Sequence, residues 1–274
     1  MTPVFRSTKL WLGLGVFTLL HAGAAPDAAA QPGTTVEAAP PAAAQGGEGG
    51  EGGEGGVSAE KAATDPDAFI AALDIVAAHY LAGRGAYGAG QPQAAAELFA
   101  HPIAEVYADM EPVFQARGVT PFREAMERAS ELALARAPQD AVASAVGSVL
   151  AALSAAEARA PSPGGTVTVQ ARVAADLIDR AALQNVTAAR ESAELEPYLD
   201  GYGLYLAAQA RAQQALPALE AAGRRDVAER MRSVLRALGP SFPGPARPAQ
   251  AAAIDASALL AEASRLKLLV GAMQ

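Results

Sequence analysis

Residues 65–88 read DPDAFIAALDIVAAHYLAGRGAYG, and this stretch decides the fold class. Asp65 is an N-cap acceptor, Pro66 suits the first helical position, and Asp67 faces the positive end of the helix dipole. Phe69, Leu73, Val76 and Tyr80, flanked by Ile70, Ala77 and Leu81, then recur at helical spacing along one face. The same punctuation repeats downstream. Gln91-Pro92 opens a second helix, and His101-Pro102 should break it, because the residue before proline is pushed out of the α region. A third helix runs from Pro102 to a stop at Gly118. Thr120-Pro121 starts a fourth and Pro138 a fifth, ending at Arg159. After the loop Pro161–Gly165 a sixth carries Val169, Val173 and Leu177. Glu196-Pro197 starts a seventh, with a break near Gly223 and an eighth from Arg225 to Leu238. The loop 239–248 precedes a last, leucine-rich helix. TVTV at 166–169 is the one strand-like string, and it has no partner. The expected fold is an all-α helical bundle over residues 65–274.

Composition narrows the function classes. Of 274 residues none is Cys, which excludes disulfides, thiolate metal sites and a lipoprotein anchor. The formal charge is −8 and no basic run is dense, which argues against nucleic acid. Of the 21 basic residues only Lys9, Lys61 and Lys267 are lysine, a skew that reads as codon bias rather than chemistry.

Residues 1–24 have the layout of a Sec-type signal peptide: Arg6 and Lys9, an apolar run over 10–20, and Ala22-Gly23-Ala24 for cleavage. An eleven-residue helix is about 17 Å long, short of the ~30 Å bilayer core. With the later apolar stretches read as interrupted by charges, no membrane span is expected after its removal. The expected location is periplasmic or secreted. Residues 25–64, with Pro40-Pro41 and GGEGGEGGEGG over 46–56, read as a disordered Gly/Glu/Ala/Pro-rich linker.

An internal repeat suggests two related halves, 65–160 and 166–274. Tyr80, Leu81, Gly83, Gly85 and Tyr87 share the string YLxGxGxY with Tyr198, Leu199, Gly201, Gly203 and Tyr205, 118 residues on. Pro112, Gly118, Glu124 and Met126 match Pro217, Gly223, Glu229 and Met231 at a separation of 105. The difference places an insertion around 99–109. Each helical glycine costs up to about 1 kcal/mol against alanine, so these glycines imply a close neighbouring helix, a kink, or a ligand on the backbone.

Chemistry-bearing residues are few. There is no GxSxG, no HExxH and no phosphate loop after a strand, so no catalytic residue is assigned and an enzyme is not expected. His79 and His101 are the histidines outside the signal, and Glu105 follows His101 by one turn. Two imidazoles and a carboxylate can hold iron or another divalent or trivalent cation between facing helices. The first half alone has histidine, so one site is expected. Tyr80, Tyr107, Tyr198 and Tyr202 either pack or line a ligand pocket with Asp200 and Glu196.

Signal, spacer and duplicated helical body together resemble the imelysin-like family of bacterial periplasmic and outer-membrane-associated proteins. The resemblance is architectural and covers about 65–274. It implies a link to iron uptake but transfers no site residue, since the family's GxHxxE motif is absent around His79. The segment 78–107 is similar to uncharacterised exported proteobacterial proteins, and 81–99 to one tetratricopeptide hairpin. The sequence therefore points to an exported binding protein for a metal ion or small ligand, or to an envelope scaffold with a protein partner.

Overall fold

The computed structural model describes residues 57–191, 193–249 and 255–273. The signal segment 1–24 and residues 25–56 of the expected linker lie outside them.

Every described element is helical. The chain runs α1 (Ala59–Ala62), α2 (Pro66–Gly88), α3 (Pro92–Pro102), a π-helical turn (Ile103–Tyr107), α4 (Ala108–Ala116), α5 (Arg123–Leu134), α6 (Gln139–Glu157), α7 (Val167–Arg190), α8 (Glu196–Ala221), α9 (Arg225–Leu238), a 3-10 turn (Gly239–Ser241) and α10 (Ala256–Gly271). The caps follow the sequence. Asp65 accepts from the Asp67 amide at 2.9 Å, and Asp255 from the Ser257 amide at 2.9 Å. Gly118 and Gly223 take φ of 66° and 76°, the left-handed geometry that ends α4 and α8. TVTV resolves into a cap and a first turn, with Thr166 Oγ1 accepting from the Val169 amide at 3.2 Å.

Three expectations change. His101-Pro102 does not break the chain: α3 passes into α4 through the π-turn. A π-turn widens the helix where proline lacks an N–H and crowds the carbonyl four residues back. The linker expected over 25–64 does not reach 64, because α1 forms at 59–62 with Ala62 fully buried and Arg117 donating to the Ala63 carbonyl. Finally, α6 carries no charge between Ala141 and Ala156, and by length and composition it is able to span a membrane. Here it packs on α2 and α5 through Val142, Val146, Val149 and Leu153.

The core centres on α2, which touches α1, α3, α6, α7 and α8. The long α7 and α8 lie along each other, and α10 rests on α7 and α9. Alanine dominates the contact faces, with Ala72, Ala82, Ala174, Ala181 and Ala208 fully buried. Small side chains let the backbones approach closely. At Gly203 an added Cβ would stand 2.3 Å from the Ala78 carbonyl oxygen, so α2 and α8 meet backbone to backbone. At Gly83 and Gly201 the same construction meets a phenylalanine ring, Phe99 at 2.4 Å and Phe242 at 2.6 Å. Of the readings open for these glycines, close packing is the one realised.

Buried at the centre is Arg211 of α8. Its guanidinium forks onto Asp74 of α2 (2.8 and 2.7 Å) and onto Glu157 at the end of α6 (2.7 and 3.0 Å). It also donates to Gln170 of α7 at 2.8 Å. Burial alone would lower the Arg211 pKa, but Asp74 and Glu157 reverse this and raise it. One side chain thereby ties four helices.

Candidate functional site

The predicted site residues fall into two groups. Tyr80, Tyr107 and Tyr198 belong to the packing. The Tyr80 hydroxyl donates to the carbonyls of Phe99 (3.0 Å) and Met126 (3.1 Å), and burial holds its pKa well above the phenol range. Tyr107 is 2% exposed in a cluster with Phe114 and Phe122. Tyr198 donates to the Gly244 carbonyl at 2.6 Å. Tyr202 is half-buried, its ring closing on Gly85 of α2. Placing a ligand on the first three would require displacing hydrogen bonds of Tyr80 and Tyr198 or ring contacts of Tyr107 that the fold uses.

Each histidine faces a carboxylate of α8. His79 Nδ1 contacts the Ile75 carbonyl at 2.9 Å, and its Nε2 stands 3.9 Å from Asp200 Oδ1. His101 Nδ1 stands 3.6 Å from Glu196 Oε1. Both carboxylates come from the first turns of α8, delivered by the close approach at Gly203. Glu105 lies half-buried on the π-turn. Among the described residues, however, no three of His, Asp and Glu converge as a cage for a metal ion. Burial, reinforced by the neighbouring His101, holds the His79 pKa below its ordinary value, against the Ile75 contact.

This gives a signed pH dependence. Unfolded histidine takes a proton near pH 6.5, while folded His79 resists it. Stability should therefore fall as pH drops from 7 through 6.5 toward the lower folded pKa, by at most about 1.4 kcal/mol per pH unit. Chemical denaturation at pH 7.0 and 5.5 should show this loss in the natural chain and a smaller one in His79→Gln. Equal losses in both would contradict it.

A second region is better formed. A cavity of about 440 Å³ opens between α1, α2, α7 and α10. Ala68, Ala71, Ala72 and Ile75 of α2 and Val173 of α7 supply its apolar surface. Six charged residues line it: Lys61, Asp67, Arg172, Asp176, Arg180 and Lys267. Four are cationic and two anionic, the reverse of the chain's overall balance. The spacing 172, 176, 180 puts three of them on one face of α7.

These charges are partly paired. Asp176 accepts from Arg180 Nε and Lys267 Nζ, both at 2.7 Å, and they hold its pKa below the usual carboxylate range although burial opposes this. The Lys267 pKa is raised in turn: burial would lower it, but Asp176 and Asp179 prevail. Arg172 and Asp67 pair only loosely, Nη1 to Oδ2 at 3.6 Å, while Arg172 Nη2 donates to the Met273 carbonyl at 2.7 Å. Burial, with Asp65 adding, raises the Asp67 pKa against the pull of Arg172. Two atoms of this pair, Asp67 Oδ1 and Arg172 Nε, are buried without a hydrogen-bond partner among the described residues. Such orphans are uncommon, and each costs about 1–3 kcal/mol.

The cavity was not anticipated from the sequence. Asp67 reads there as a helix-dipole acid, and Arg172 carries no reading of its own. The one available signal is the charge stripe on α7 within an otherwise buried helix. No family model, curated protein or solved structure matches the chain.

Proposed function

We propose that this chain is an exported helical binding protein and that the cavity between α1, α2, α7 and α10 is its ligand site. The observation that carries the reading is the cavity of about 440 Å³ itself, lined by charged and apolar side chains together, with the half-buried Asp67–Arg172 pair held only loosely at 3.6 Å on its wall. A pair kept only for stability would be expected to close to hydrogen-bonding distance and satisfy its buried atoms, whereas a loose pair on the wall of a concave pocket can turn to a ligand. Export rests on the composition of residues 1–24, and the duplication of a helical half rests on the repeat. Binding of iron or another cation at His79, His101 and Glu105 is a weaker reading, since it needs side chains to converge further.

The test is a stability measurement on the ligand-free protein. Replacing Asp67 and Arg172 together by leucine removes both orphans and should leave stability unchanged or raise it by about 1–2 kcal/mol. A loss above about 2 kcal/mol would make the pair a structural element and remove the argument for a receptor.

The second reading, an envelope scaffold, has one observation in its favour. The exposed face of α6 carries Ser144, Gly147, Ser148 and Ala151 with no charge, and a Cβ on Gly147 would meet nothing within 4 Å.

A further inference from the structure

On the receptor reading above a ligand has to enter the cavity, and one of the cavity's walls is held far more weakly than the rest. Val57, Ser58 and Lys61 line it from α1 and the two residues before that helix. The other walls are deeply anchored. Both α2 and α7 bury long runs of side chains, and α10 buries Leu259, Ala263, Leu266 and Val270. By contrast α1 is a single turn of four residues and buries Ala62 alone. An isolated turn does not hold its own shape, because its few hydrogen bonds fail to offset the conformational freedom lost on ordering it. Such a segment opens before the rest of a fold does.

We propose that residues 57–63 form a strap that gates the cavity, clasped by Arg117 and hinged at Thr64 and Asp65. Arg117 caps the C-terminal end of α4, which contributes nothing to the cavity lining. Its Nη2 donates to the Ala63 carbonyl at 2.5 Å, where the strap runs into the hinge. Its Nη1 donates to the Arg159 carbonyl at 3.3 Å, and its guanidinium lies over the Phe69 ring, 5.9 Å from the centroid. Phe69 is fully buried, so the clasp is mounted on the fixed part of the fold. Both acceptors are neutral carbonyls, which makes this a weaker tie than the paired charges around Arg211. Thr64 and Asp65 are exposed and lie between the two helices, free to absorb a change of backbone angle. One side of the strap thus faces the cavity while its hold lies on the other, against α4.

The chain has no cysteine, so one introduced thiol reports on entry. In the full chain, Ala71→Cys places it on the α2 wall of the cavity, and Gly147→Cys places it on α6 with nothing within 4 Å. A maleimide should react at least about tenfold more slowly with the first than with the second. Adding Arg117→Ala or Ala62→Gly to Ala71→Cys should speed its reaction about tenfold, the one by removing the clasp and the other by removing the strap's buried methyl. Neither should alter the rate of Gly147→Cys. Hydrogen exchange separates opening from unfolding. The amides of Ala62, Ala63 and Asp65, bonded within and just after the strap, should exchange faster in both variants, and those of residues 73–78 should not change. Equal rates for Ala71→Cys with and without the clasp, or acceleration accompanied by faster exchange over 73–78, would overturn the gate. Neither result touches the receptor reading, which fails instead if the folded protein carries no small molecule.

Discussion

Truncation of Arg211 to alanine should destabilise the protein by about 3–5 kcal/mol, the cost of leaving buried charge without its partner. The reason is the convergence on one guanidinium: Asp74, Glu157 and Gln170 each lose their hydrogen bonds to it, from three different helices. Two carboxylates would then face each other without a counter-charge, and both would be driven toward the protonated form. The deficit should accordingly shrink as pH falls from 7 to 4, because protonation relieves it. In the intact network the two behave differently. Burial raises the Asp74 pKa, whereas Arg211 brings the less buried Glu157 below its ordinary value. Denaturant melts of the natural chain and Arg211→Ala at both pH values check this. A deficit under 1 kcal/mol, or one that widens in acid, would show that the network does not hold the four helices.

Gly203→Ala should cost about 1–3 kcal/mol, although glycine to alanine within a helix ordinarily stabilises by up to about 1 kcal/mol. The added methyl would stand 2.3 Å from a carbonyl oxygen and 2.9 Å from its carbon, both backbone atoms of Ala78. Neither can rotate away, so α2 and α8 must separate. Gly147→Ala is the internal comparison. Its Cβ would meet nothing within 4 Å, and the ordinary helix gain should appear. Parallel melts of the two variants should therefore shift in opposite directions. Stabilisation of both would mean that α2 and α8 do not touch at Gly203.

The helices themselves were legible in the sequence because their ends are encoded locally. Asp65-Pro66, Gly118 and Gly223 act through caps and backbone conformation, and each does what its residue type dictates. Pro102 misleads for the same reason. Its local preference is to end a helix, but Phe99, Val106 and Met110 are buried on both sides of it and the π-turn accommodates the ring. The short α1 carries no periodic signal and depends on packing against α2 and α4.

Sites were legible only where they were local. His79 and His101 are marked by their residue type, but the carboxylates opposite them, Asp200 and Glu196, arrive from α8 through a close helix contact. The cavity is further removed. Asp67, Arg172 and Lys267 lie on three helices, and each obeys the rules of its own surface. Only their juxtaposition makes a cavity lined by charges from three helices, with Asp67 and Arg172 loosely paired on its wall.

Native mass spectrometry of the protein, purified without unfolding, tests the receptor reading most directly. A species heavier than the polypeptide by the mass of one small molecule is expected, released on denaturation and missing from Ala71→Phe, whose added ring would fill the cavity. A bare polypeptide mass in both proteins would contradict it.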